Sequence, residues 1–145
     1  MSSIDPENPV VKLCALGMQA EAEGRVEDAK QRFAEAWDAR TDDFEACVAA
    51  HYVARHQSTP EETLRWNQIA VDHADALADD RARAFFPSLY LCLGKSHEDL
   101  GNLTEAARLY RLAQARVGVL GGDSYGDLVR RGLAAARARM ASVSP

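Results

Sequence analysis

The stretch Pro87 to Gly118, PSLYLCLGKSHEDLGNLTEAARLYRLAQARVG, decides the fold. Tyr90, Leu93, Gly94 and His97 recur at three- and four-residue steps, which places them on one helical face. Gly101 ends that helix. Leu103, Ala106, Leu109 or Tyr110, and Ala113 then repeat the period across a very short turn, so two antiparallel helices are expected. Gly94 and Ala106 are small where the helices approach most closely, and Tyr110 is large where a gap between repeats needs filling. One such hairpin cannot bury its own faces, which predicts neighbours of the same kind.

The same frame appears earlier as Leu13, Leu16-Gly17, Gly24, Ala29, Phe33 and Ala36. Between the two lies a worn copy, Cys47, Ala50-His51, Ala54, Thr63, Asn67 and Ala70, in which His51 stands at the glycine and Asn67 at the aromatic. The pattern resembles the tetratricopeptide repeat, a helix pair of about 34 residues. The resemblance implies an all-α fold, a right-handed α-solenoid of about three antiparallel helix pairs plus a C-terminal capping helix. Its parts are a first repeat over 10–43, a degenerate second over 44–77 with an insertion at 78–86, a third over 87–120, and the capping helix over about 124–141, all within one domain.

Composition agrees with close helix packing. In 145 residues, 47% are apolar but only 7% aromatic, which suits small-residue helix contacts better than a sandwich or barrel. The net charge of -5 argues against a nucleic-acid or anionic-membrane surface. The three cysteines, Cys14, Cys47 and Cys92, lie in apolar helical stretches and read as reduced core residues. The start, MSSIDPENPV, carries no signal-peptide pattern, and no run approaches a membrane span, so a cytoplasmic protein is expected.

Local signals set the helix limits. Asn8-Pro9 opens helix one, which runs to about Glu23, and helix two covers about Val26 to Ala39. Thr41-Asp42-Asp43 caps helix three, which runs to about His56. Thr59-Pro60 with Glu62 forms a capping box for helix four, with Thr63, Trp66, Ala70, His73 and Leu77 as its inward stripe and an end near Ala78. The insertion, with Asp79-Asp80 and Arg81-Ala82-Arg83, is expected to lengthen helices four and five, and Pro87 to kink helix five or to start its regular part. Gly118, Gly121, Gly122 and Gly126 mark a flexible connection. Asp123 then caps a last helix striped by Tyr125, Val129, Leu133, Ala136 and Met140, a closing element for the stack.

No catalytic set is visible. The adjacent acids Asp42-Asp43 and Glu61-Glu62 sit at helix starts, where they favour the macrodipole, and sequence neighbours do not face each other on a helix. His51, His56, His73 and His97 show no metal-ligand spacing, and phosphate-loop or nucleophile-elbow motifs do not occur. Hence no enzyme activity, metal or cofactor is expected. Arg130, Arg131, Arg137 and Arg139 can meet an acidic partner, but they also suit the late turns and solvated sides of a closing helix.

The resemblance also implies a partner, a protein or peptide segment held in a concave groove lined by the first helix of each repeat. Carried over by position, the groove comprises Met18 from helix one, Glu45, Tyr52, Arg55 and His56 from helix three, and Leu91, Lys95 and Glu98 from helix five. Tyr52 with Arg55, an aromatic beside a cation, has the composition of an interface hot spot. The alternatives are a regulatory domain that senses a small molecule or signal peptide, and a module that pairs with its twin as a homodimer.

Overall fold

The computed structural model describes residues 5–77 and 85–143, and among these it is all-helical, with seven α-helices and no strand. These residues fall into two compact units, one on each side of residues 78–84. The first contains α1 (Pro9–Ala22), α2 (Val26–Ala39), α3 (Asp43–Val53) and α4 (Pro60–Asp75). The second contains α5 (Phe86–Asp99), α6 (Leu103–Arg116) and α7 (Ser124–Val143).

In the first unit the caps follow the sequence closely. The amides of Val10 and Val11 donate to Asn8 Oδ1 at 2.8 and 3.2 Å, and Pro9 occupies the first turn, where a missing N–H costs nothing. Gly24 ends the hairpin turn at φ +78°, with its amide on the Glu21 carbonyl and the Arg25 amide on the Ala20 carbonyl. That paired arrangement satisfies carbonyls the helix end leaves open, and it needs the left-handed backbone that glycine adopts without strain. Asp42 Oδ1 accepts from the Glu45 amide at 2.8 Å, and Thr59 Oγ1 from the Glu62 amide at 3.1 Å.

The core of this unit is built from small residues around two rings. α1 packs on α2, α3 on α4, and α3 also on α1 and α2. Accordingly every residue from Phe44 to Ala50 is buried, as expected of a helix covered on all sides. Gly17 of α1 is closed by Phe33 of α2: a Cβ at position 17 would lie within 2.8 Å of three ring carbons. The inward face of α4 is Asn67, Ala70, Val71 and Ala74, so the expected stripe shares only Ala70 with it. Trp66 and His73 instead stand half-buried around Trp37 of α2, with ring centroids 4.9 and 6.3 Å away. The small face of α4 supports close packing, while its aromatic edge fills the wider space beside it.

The second unit repeats the hairpin. Gly101, at φ +83°, closes the α5–α6 turn with the bonds found at Gly24: its own amide on the Glu98 carbonyl and the Asn102 amide on the His97 carbonyl. A Cβ on Gly94 would lie within 3.3 Å of three carbons of the Tyr110 ring. Pro87 is buried in the first turn of α5 and starts that helix. α4 ends at Asp75 rather than near Ala78; residues 78–84 of the insertion, with Asp79-Asp80 and Arg81-Ala82-Arg83, lie outside the described residues.

α7 packs against both α5 and α6. Its buried line is Gly126, Val129, Leu133 and Ala136, with Met140 half-buried. Gly126 is therefore a packing residue in the first turn of α7 and not part of the connection, and its amide donates to Asp123 Oδ1 at 2.8 Å. Gly132 admits Leu91, whose Cδ2 would be 2.9 Å from a Cβ there.

Candidate binding site

α1 and α3 pack side by side in the first unit, and the polar side chains at their ends form two clusters. The first joins the starts of the helices. Asn8, while capping α1, donates from Nδ2 to Glu45 Oε2 at 2.9 Å. Glu45 Oε1 accepts from the Thr41 amide and hydroxyl at 2.7 and 2.9 Å. Only 8% of Glu45 is exposed, so this residue, expected in the groove, is instead a buried tie between helix starts. A buried carboxylate is tolerated there because several donors converge on it.

The second cluster joins the helix ends. Glu21 Oε2 lies 3.0 Å from Arg55 Nε and 2.5 Å from His56 Nε2. Both partners also sit on the aromatic core: Phe33 stacks on Tyr52 at 5.4 Å and on His56 at 6.0 Å, and the Arg55 guanidinium lies 5.9 Å from the Tyr52 ring centre. Tyr52 and His56 are thus half-buried, with one face committed to packing. Arg55 remains half-exposed, and Met18 of α1 is 45% exposed. Beside this cluster α2 and the end of α3 border a cleft of about 550 Å³ lined by Val26, Lys30, Phe33, Val53, His56 and Gln57.

His51 stands apart. Its Nδ1 is buried without a hydrogen-bond partner, and its ring meets Tyr52 edge-on at 5.1 Å. Burial first, and the nearby Arg55 charge second, lower its pKa from 6.5 to about 4. The two buried thiols move the other way: burial pushes Cys14 and Cys47 up to about 12, which keeps them protonated.

In the second unit, α7 covers much of the α5 face expected to line a groove. Leu91 packs toward Gly132. Glu98 accepts from the Tyr110 hydroxyl at 2.6 Å and from Arg139 at 2.9 Å. The hydrogen bonds from Arg139 and Tyr110 hold the Glu98 carboxyl below its ordinary range against partial desolvation. Lys95 is half-exposed and pairs with its helical neighbour Asp99 at 2.5 Å.

Of the eight groove positions, Met18, Arg55 and Lys95 therefore face solvent, Tyr52 and His56 are shared between packing and surface, and Glu45, Leu91 and Glu98 are taken up inside their units. The Asn8 tie to Glu45 spans 37 residues and has no local signal in sequence. Glu21 precedes Gly24 by the same three residues that separate Glu98 from Gly101, a spacing that could have found it. No described helix is long and apolar enough to cross a membrane, and no group of three or more metal-ligating side chains gathers among the described residues. Comparison of the chain with models of protein families, with curated proteins and with solved structures gave no match.

Proposed function

We propose that the chain is a tetratricopeptide-like interaction module, a right-handed solenoid of three helix pairs closed by α7. It binds a protein or peptide segment through the face that α1 and α3 present in the first unit. The repeat reading is supported by the double occurrence of a glycine closed by an aromatic ring, Gly17 with Phe33 and Gly94 with Tyr110, each followed by a positive-φ glycine. The observation that carries the function is the exposure of Met18 on α1 and of Arg55, which pairs with Glu21 and lies against the half-buried Tyr52 ring. A flexible apolar side chain and a cation braced by an aromatic suit a segment with an apolar and an acidic residue.

The test is affinity capture from source-cell lysate with the native chain and a Met18→Glu, Arg55→Gln variant whose helicity is unchanged. A protein retained by the native chain and lost by the variant supports the face. Equal retention by both, or none by either, contradicts it. A second reading, a domain sensing a small molecule, rests on the 550 Å³ cleft beside His56, a volume within the range of small-molecule sites. A thermal shift with a metabolite that is abolished by Val26→Trp distinguishes it.

A further inference from the structure

Within the second unit, α6 and α7 border a cleft of about 390 Å³ lined by Ala107, Tyr110, Arg111, Gln114, Arg137 and Met140. Ala107, the Tyr110 ring and Met140 make its surface largely apolar. Arg111 and Arg137 are exposed, and among the described residues neither guanidinium has a carboxylate, carbonyl or ring partner. Three nearby arginines behave differently. Arg108 is held by Glu105, Arg139 by Glu98, and Arg130 by the carbonyls of Leu120 and Gly121. In a chain of net charge -5, two cations without a counter-charge thus meet at one apolar cleft.

The chemistry of the lining selects the occupant. A guanidinium is a planar fork matched to carboxylate or phosphate. The lining comes from the middle and end of α6 and the end of α7, so no helix N-terminus strengthens the field as phosphate sites commonly do. Two guanidiniums on different helices around an apolar floor match separate carboxylates on either side of an apolar group. The equivalent niche of the first unit lacks that pair: Lys30 and Ala34 stand there where Ala107 and Arg111 stand here.

The geometry points to the α6–α7 cleft as a docking site for an acidic amphipathic peptide segment. A large apolar side chain enters beside Tyr110 and Met140, and flanking glutamates or aspartates pair with Arg111 and Arg137. This surface belongs to the second unit and does not depend on the α1 and α3 face.

The test uses the full chain and a short fluorescein-labelled peptide with a central phenylalanine flanked on both sides by glutamates, read by anisotropy. Saturable binding that weakens as sodium chloride rises is expected. The Arg111→Gln, Arg137→Gln variant, with unchanged helicity, loses about tenfold or more in affinity. Replacing the glutamates of the peptide by glutamines, or its phenylalanine by alanine, produces comparable losses, and Met140→Glu blocks binding. The proposal is overturned by absence of saturable binding, by equal affinity of the double variant, by tighter binding of a phosphoserine peptide, or by loss through Met18→Glu alone.

Discussion

The two units solve one packing problem with different chemistry. Gly17, Gly24 and Phe33 in the first correspond to Gly94, Gly101 and Tyr110 in the second, each 77 positions later. Glu21 and Glu98 share that spacing, and each carboxylate is held by an arginine from outside its hairpin, Arg55 in the 3-10 turn that follows α3 or Arg139 of α7. The difference is one hydroxyl. Phe33 has none, and its ring faces stack on Tyr52 and His56, whereas Tyr110 donates its hydroxyl to Glu98. The glycine and ring therefore set the hairpin, and the anchoring of the third helix is left to whichever groups the ring makes available.

The largest effect expected is on the glycine contacts. Gly17→Ala forces a Cβ into the Phe33 ring, which Tyr52 and His56 hold in place, and stability falls by about 3 kcal/mol, at the upper end of overpacking effects. Gly94→Ala meets a ring slightly farther away and loses about 2 kcal/mol. Urea unfolding resolves the pair, because Trp37 and Trp66, the only tryptophans, both report on the first unit while circular dichroism reports on all helices. Equal stability of Gly17→Ala and the native chain would break the comparison.

His51 sharpens it from the side of charge, because its Nδ1 is buried in the first unit without a hydrogen-bond partner. Its lowered pKa means that the unfolded chain takes up a proton below about pH 6.5 while the folded chain stays neutral down to about pH 4. Stability is thus complete above pH 6.5 and declines as pH falls toward 4, by about 2 kcal/mol between pH 7 and 5. His51→Leu flattens that part of the pH profile of tryptophan-detected unfolding. An unchanged slope in the variant would contradict the assignment.

Removing the carboxylate's partners has a smaller effect. Arg139→Ala or Tyr110→Phe each lowers stability by about 1–2 kcal/mol, because Glu98 keeps one partner. Glu98 is held below its ordinary pKa, so its contribution is present above the unfolded value and is lost as pH falls through the folded one. Accordingly the penalty of Arg139→Ala, measured by circular dichroism, shrinks under acid conditions. Lys95→Ala, which removes an exposed helical pair with Asp99, changes stability by less than about 0.5 kcal/mol.

The helices were legible because their ends are marked by local chemistry: Asn8-Pro9, Asp42, Thr59-Pro60 and Asp123 each act within a few residues of where they stand. The glycine and aromatic frame was legible for the same reason, as a fixed spacing inside one hairpin. The inward face of α4 was not, because apolar residues occupy two adjacent sides and only packing against Trp37 decides which turns in. Nor was the fate of the groove acids. Glu45 and Glu98 look like surface residues until Asn8 and Arg139, 37 and 41 residues away, arrive beside them. The meeting of Arg111 with Arg137 depends on α7 docking on α6 and carries no trace in local spacing.

The most direct test of the interaction-module account is site-specific photocrosslinking in source-cell lysate. A benzoylphenylalanine replaces Met18 on the α1 face, and a second chain carries it at Glu35, a half-exposed position on α2. The account predicts a discrete protein adduct from position 18, absent from position 35 and suppressed by Arg55→Gln. The same adducts from both positions, or none from position 18, would contradict it.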